Sequence, residues 1–289
     1  MTTCYATLAD AKQDNKSGTT ADDLYLLRAL RTVSQRIDRQ MGQQSRPYFA
    51  PFIETRKLQL RPTMVNSALG TLMLPAPLLT LTGVSASGTA LAVGTDLLGY
   101  PDSATPPFSA LQLSADYAYD WYTFCSDTLR QPYVAITGAW GYHGDYAHAW
   151  QQVDTLAAAM SDTTTTTFTA HTVDAAGSDG NTPTFSAGML VKVDDELMNV
   201  TTTNNTTKVV TVEARGANGS TAATHLNGAA IKVFQVEPDI RQVVARQAAF
   251  MNKKRGAYEA AVITEVGMVT YPADLLPELL GVLQNYLYT

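Results

Sequence analysis

Apolar residues recur every three or four positions in three parts of the chain and alternate with polar ones in several others, so the pattern predicts helices and strands side by side. Leu24, Leu27, Leu30, Val33, Ile37 and Met41 mark one face of a helix over about 21–41, with Gly42 where a C-terminal glycine belongs. Thr20 followed by Asp23 has the form of a capping box at its start. The opposite face carries Asp22, Arg28, Arg31, Arg36 and Arg39, the pattern of a solvated surface. Pro238, at a first helical position, is followed by Ile240, Val243, Val244, Gln247, Phe250 and Met251, which predicts a second helix reaching about Gly256. Pro277 then precedes Leu279, Leu280, Leu283, Tyr286 and Leu287, a short last helix with a broad apolar face. It leaves no polar tail at Tyr288-Thr289 and is expected to dock on this subunit or a neighbour.

Between the helices the period shortens. Pro47, Pro51 and Pro62 interrupt any helix, and 56–61, 78–84, 89–93, 111–113 and 133–137 read as short strands between turn residues, with a hairpin around Gly83 to Gly88. Composition shifts after Trp150. Residues from about 158 to 235 hold a five-threonine run (163–167), many Gly and Asn, and the alternating stretches 189–193, 208–212 and 230–234. This segment is expected to be a separate, inserted all-β module of barrel-like form, with a disordered Thr-rich linker as the competing reading. The fold class expected is therefore α+β: a mainly helical core over 1–157 and 236–289, plus the β module over 158–235.

Composition narrows the function. The 289 residues suit two domains, and 45% apolar residues allow a sizeable core. Charged residues are only 16%, below the usual quarter, a bias common in β-rich assembly proteins. A formal charge of −6 argues against a surface devoted to phosphates. No apolar run approaches a membrane span, and the N-terminus lacks a signal-like region, so a soluble protein made in a cytoplasm is expected. Cys4 and Cys125 stand apart and suggest free thiols.

The sequence offers little chemistry. His143 and His148 are spaced by five, which does not place two rings on one helix face, so a metal site is not expected. No nucleophile elbow or phosphate-cradling glycine run is present. Asp194-Asp195-Glu196, the densest acidic cluster, lacks the alternating ligands of a calcium loop and reads as a charged turn between strands. The aromatics Trp121, Tyr122, Phe124, Tyr133, Trp140, Tyr142, Tyr146 and Trp150 suit a sugar-binding surface, but more often such residues are core or interface anchors. No catalytic residue, metal or cofactor is assigned.

The order of several segments resembles the head–tail connector (adaptor) family of tailed bacteriophages. Tyr5-Ala-Thr-Leu-Ala-Asp-Ala-Lys12, Asp22-Asp23-Leu24, Ser34-Gln-Arg-Ile-Asp38 and Gly42 resemble its first helix. Val134-Ala-Ile-Thr-Gly-Ala-Trp-Gly-Tyr-His143 resembles the strand and turn that follow, and Gln247-Ala-Ala-Phe250, Arg255-Gly-Ala-Tyr258 and 272–288 its C-terminal helices. The middle segment, with Gly188 to Glu196, Val200, Arg215 to His225 and Gly228, is similar to a small β domain recurrent in phage virion proteins. There the Arg-Gly to His stretch is a loop, which Gly216 and Gly219 permit and which Arg215 and His225 can tie down by hydrogen bonds.

The resemblance implies a non-enzymatic virion protein at the phage neck, assembled in the bacterial host. It would form a ring, usually of twelve copies, that joins the portal protein to a tail, stopper or nozzle protein and lines the channel for genomic DNA, with no membrane partner. Such a ring needs head-to-tail contacts between subunits. The implied subunit-interface residues are Leu24, Leu27, Arg28, Arg31, Ile37, Val243, Phe250 and Met251. Leu280, Leu283, Tyr286, Leu287 and Tyr288 are the implied portal-docking residues, and Lys253, Lys254 and Arg255 the implied channel-facing ones. The alternatives are a tail-associated receptor- or glycan-binding protein acting through the β module, and an uncharacterised hydrolase.

Overall fold

A computed structural model describes residues 3–16, 19–43, 46–114, 121, 132–178, 180–254 and 276–286. In chain order these form α1 (Leu8–Asn15), α2 (Asp23–Gln40), β1 (Phe52–Gln59), β2 (Val65–Asn66), β3 (Thr71–Ala86), β4 (Thr89–Leu91), β5 (Leu97–Tyr100), β6 (Phe108–Leu113) and β7 (Tyr133–Trp140). There follow β8 (Trp150–Thr155), β9 (Thr167–Thr169), β10 (Leu190–Val193), β11 (Glu196–Asn204), β12 (Val209–Val212), β13 (Ala230–Phe234), α3 (Pro238–Lys254) and α4 (Pro277–Gln284). The expected α+β class with a mainly helical core is overturned. The described chain is mostly β, with two antiparallel sheets of seven and six strands and only four short helices. Helical periodicity is the louder sequence signal, whereas strands paired across long separations leave only short, irregular alternations.

Two compact units are present, Tyr48–His148 and the remainder, Met1–Pro47 with Ala149–Thr289. In the first, strands run in the order β1-β7-β3-β6-β5, with β2 and β4 attached to β3. The long β3 is its hub: Thr71–Met73 pairs with β6, and Leu78–Ala86 pairs with β7. Pro75 and Pro77 fall in the register shift between Met73 and Leu78, where a missing N–H breaks no ladder. The β3–β4 hairpin turns at Ser87 and Gly88, both with positive φ, as a two-residue hairpin requires. Leu72, Leu78, Leu97, Leu111, Trp121, Ile136 and Trp140 are fully buried in this unit's core.

In the second unit the order β8-β13-β10-β11-β12-β9 closes on itself. Leu156 bridges Ala170, and the Ala157 N–H donates to the Thr169 carbonyl at 2.9 Å, so the six strands form a small barrel without long free edges. Val153, Phe168, Val191, Val193, Met198, Val200, Val210, Val212, Ile231 and Val233 fill it, and Phe168 meets Phe185 edge to face at 5.9 Å. The expected module boundary at 158 lies just beyond β8, which the barrel uses as a wall.

The helices pack within this same unit. The start of α2 meets the end of α3: the Tyr25 hydroxyl donates to the Met251 carbonyl and the Asn252 amide to Asp22. α2 begins close to the expected position, but Thr20 and Asp23 form no capping box; Asp22 is the cap, and its side chain makes no capping bond to the helix. The capping box is Thr7 with Asp10 at the head of α1, a helix the apolar pattern does not reveal. Asp10 also receives a bidentate pair from Arg241 of α3, both bonds at 2.9 Å.

Candidate functional site

The preceding residues, Thr3–Thr7, are buried between α2 and the barrel. The Tyr5 N–H donates to Ser34 Oγ at 3.1 Å and its hydroxyl bonds Asp38, while the Leu8 N–H reaches the Ala187 carbonyl at 2.9 Å. Thr3 pairs with Asn218, at 2.9 Å from the amide nitrogen, on the loop that follows β12. That loop leads to the densest polar cluster among the described residues.

The cluster is built by β11 and two loops. β10 turns into β11 through Asp194, whose positive φ of 49° lets the chain reverse in two residues. Glu196 therefore opens β11 in the same parity as Met198 and Val200, which face the barrel interior, and its side chain is wholly buried. Arg215 grips it with both prongs, Nε to Oε1 at 2.7 Å and Nη2 to Oε2 at 2.8 Å. The Gly216 and Ala223 N–H groups add bonds at 2.9 and 3.0 Å, and His225 Nε2 lies 2.8 Å from Oε2. On its other side, His225 Nδ1 lies 2.7 Å from Asp194. Arg215 Nη1 also holds the carbonyls of Asp162 and Thr165 in the loop before β9.

Glycine is required at 216: its φ is +65°, and a Cβ would meet Ser220 O at 2.8 Å. Burial pushes the Glu196 carboxyl up, but the Arg215 guanidinium, two backbone N–H groups and His225 outweigh it and bring the carboxyl down to about 2. A glutamate held ionised at neutral pH, with both oxygens occupied, serves to anchor backbone. It binds the 162–165 loop, the 215–225 loop and β11 at one end of the barrel. Arg215 and His225 were legible in the sequence as loop ties; Glu196, their common partner, was not.

The resemblance-implied residues fall in several environments. Ile37, Val243 and Leu283 are buried inside this chain and serve its own core. Leu27, Phe250 and Met251 are half-buried, with Lys254 Nζ 4.5 Å over the Phe250 ring. Arg31 is partly exposed and pairs with Glu213 at 3.5 Å. Leu24, 63% exposed, and Arg28 share the outer face of α2. Leu280 and Lys253 are exposed, whereas the Tyr286 hydroxyl donates to Asp239 at 2.8 Å. Arg255, Leu287 and Tyr288 lie outside the described residues, as do Tyr122, Phe124 and Cys125.

Trp121 and Trp140 are fully buried, Arg56 covers the Trp140 ring at 4.3 Å, and Trp150 packs on Phe234 at 5.1 Å, so these aromatics act as core and packing residues. His143 Nδ1 accepts from the Asp145 N–H at 3.0 Å, and His148 sits 2.8 Å from the Asp145 carboxylate at the surface. Among the described residues no three His, Cys, Asp or Glu side chains are arranged to hold a metal ion, and no helix is long and apolar enough to cross a membrane. No family model, curated protein or solved structure matches this chain.

Proposed function

We propose that this chain is a structural subunit of a tailed-bacteriophage particle. It forms a ring at the neck, between the portal protein and a tail or stopper protein, around the channel through which DNA leaves. The observation that carries the reading is the use made of its buried charge. Glu196, Arg215 and His225 would be the natural candidates for acid–base chemistry, yet all three are spent on fixing loops. Rigid loops and a closed barrel suit an assembly part better than a catalyst. The outer face of α2, with Leu24 and Arg28 in solvent, and the exposed Leu280 of α4 leave surface for a neighbouring subunit or the portal. The order of connector-like segments along the sequence supports the same class, although the helical share of the chain is smaller than that resemblance implied.

Cryo-electron microscopy of the intact particle tests this reading. Density for the chain in a ring beneath the portal is the expected result. Its absence there, with density at the tail tip instead, would transfer the proposal to receptor binding.

A further inference from the structure

In the Tyr48–His148 unit, β1 is an end strand of its sheet and pairs with β7 along all of its 8 residues without a register shift. Three contacts fix which way its backbone groups point. The Leu60 N–H, continuing the same register, donates to the Pro132 carbonyl at 2.9 Å, and the Trp140 indole N–H donates to the Glu54 carbonyl at 3.3 Å. The Ala139 N–H, opposite Ile53, turns away to the Thr80 hydroxyl of β3 at 3.0 Å. Even-numbered residues of β1 therefore aim their N–H and C=O at β7, and those of Ile53, Thr55 and Lys57 project from the other side. Among the described residues no hydrogen bond reaches these outward groups, and all three residues are exposed.

An end strand of this length, without proline or bulge, is a template for another strand. Its charges decide which one. Glu54 and Arg56 flank Thr55, pair with each other at 2.6 Å, and lie on the face where Arg56 covers the Trp140 ring. Place a second β1 antiparallel to the first with Thr55 opposite Thr55. Glu54 of each copy then faces Arg56 of the other, Phe52 faces Leu58, and Ile53 faces Lys57. Only residues with outward groups can bond, so the next allowed registers centre on Glu54 or on Arg56. Each of those sets like charges directly opposite, in the pair type whose side chains approach most closely. The favoured register forms about six backbone bonds, linking 53 with 57, 55 with 55 and 57 with 53. Pro51, which has no N–H, ends the ladder opposite Gln59.

We propose that β1 binds a second copy of this chain, antiparallel about a two-fold axis at Thr55, so that one sheet runs through both copies. The occupant is selected by sequence symmetry: residues 52–58 carry complementary side chains at equal distances on either side of Thr55. The contact is isologous, unlike the head-to-tail contacts of a ring, and so concerns the free protein whether or not that protein later enters a ring.

Sedimentation velocity of the full-length protein from about 1 to 300 µM tests this, a range set around the micromolar affinity of a small interface. Hydrogen exchange is followed at both ends of that range. A monomer is expected to become a dimer as concentration rises, while the amides of Ile53, Thr55 and Lys57 pass from fast to slow exchange. Thr55→Pro should weaken association at least about tenfold, because two central bonds are lost. That substitution removes an N–H that β7 does not use and a hydroxyl contact with Thr137 at the surface, so far-UV circular dichroism and melting should stay native. The exchange measurement uses only the native protein and decides the matter even where the variant misfolds. A monomer at every concentration, slow exchange of the three amides already in the monomer, or a dimer indifferent to Thr55→Pro would overturn the proposal. Larger rings that leave these amides fast would support the neck reading and still overturn this one.

Discussion

Arg215 and Glu196 form a two-pronged pair at 2.7 and 2.8 Å with both side chains withdrawn from solvent. The pair joins the 215–225 loop to the first residue of β11 in the barrel. Removing one partner strands the other charge in a place without water. Arg215→Ala is expected to destabilise the barrel by roughly 3–5 kcal/mol, and Arg215→Met with Glu196→Leu by less than Arg215→Ala alone. Urea denaturation followed by hydrogen exchange of β11 measures both; a double variant as unstable as the single one would refute the account.

The same pair sets a pH dependence. Glu196 titrates near 2 in the fold against an ordinary value of 4.5, so its contribution is fully present above about 4.5 and is lost as pH falls toward 2. The difference in stability between the native protein and Glu196→Gln should therefore stay constant from pH 7 to about 5 and shrink below that. Denaturant midpoints across an acid series show it, and a difference that does not narrow on acidification would exclude Glu196 as the group responsible.

Cys4 behaves in the opposite sense. Burial raises its thiol to about 11 from 9.0, with Arg31 opposing the shift. The neutral thiol thus favours the fold below about pH 9, and this contribution disappears as pH climbs toward 11. At pH 8 Cys4 should resist iodoacetamide in the native protein and react once denatured, because the thiolate is the nucleophile. Peptide-resolved mass spectrometry distinguishes it from Cys125; rapid native labelling of Cys4 would contradict its burial.

How far the sequence discloses this structure depends on how local each signal is. Pro238 and Pro277 stand at the first positions of α3 and α4, and Gly42, with φ of +76°, follows the end of α2, because caps and helical periods are written within a few residues. The alternations at 189–193, 208–212 and 230–234 likewise contain β10, β12 and β13. β3 was only partly legible: Pro75 and Pro77 look like interruptions, and their place in a register shift is set by partners about 30 or more residues away. Asp194-Asp195-Glu196 was read as one charged turn, which holds for Asp194 and Asp195. Glu196 was missed, although its spacing of two from Met198 and four from Val200 assigns it to the inward face.

Asn199 is the converse of Glu196. It is 5% exposed, and neither its amide nitrogen nor its oxygen has a hydrogen-bond partner. An unsatisfied buried amide costs about 1–3 kcal/mol, so Asn199→Leu, of the same branched shape but bulkier, is expected to raise stability by about 1 kcal/mol after repacking losses. A thermal melt resolves that gain, and a large loss instead would reveal a bridging water as part of the fold.

Gly138 makes the sharpest demand on the Tyr48–His148 unit. It lies on β7, where Leu81 is its partner on β3, and a Cβ built on it would run into the Thr80 carbonyl and come within 3.1 Å of Leu78 Cδ1. Thr80 cannot retreat, since its hydroxyl accepts the Ala139 N–H at 3.0 Å and its strand holds β6 along its other half. Backbone cannot yield as a flexible side-chain tip can, so even the single methyl of Gly138→Ala must part β3 from β7 or bend both. The expected loss is at least about 2 kcal/mol in this unit, with Trp140, buried against the same strands, as the fluorescent reporter. Gly83→Ala, where the nearest atom to a new Cβ is Thr137 Cβ at an ordinary 3.8 Å, serves as the control and should fold nearly as well as the native chain. Equal destabilisation by the two substitutions would mean that glycine acts at these sites through chain entropy and not through the close approach of β3 and β7.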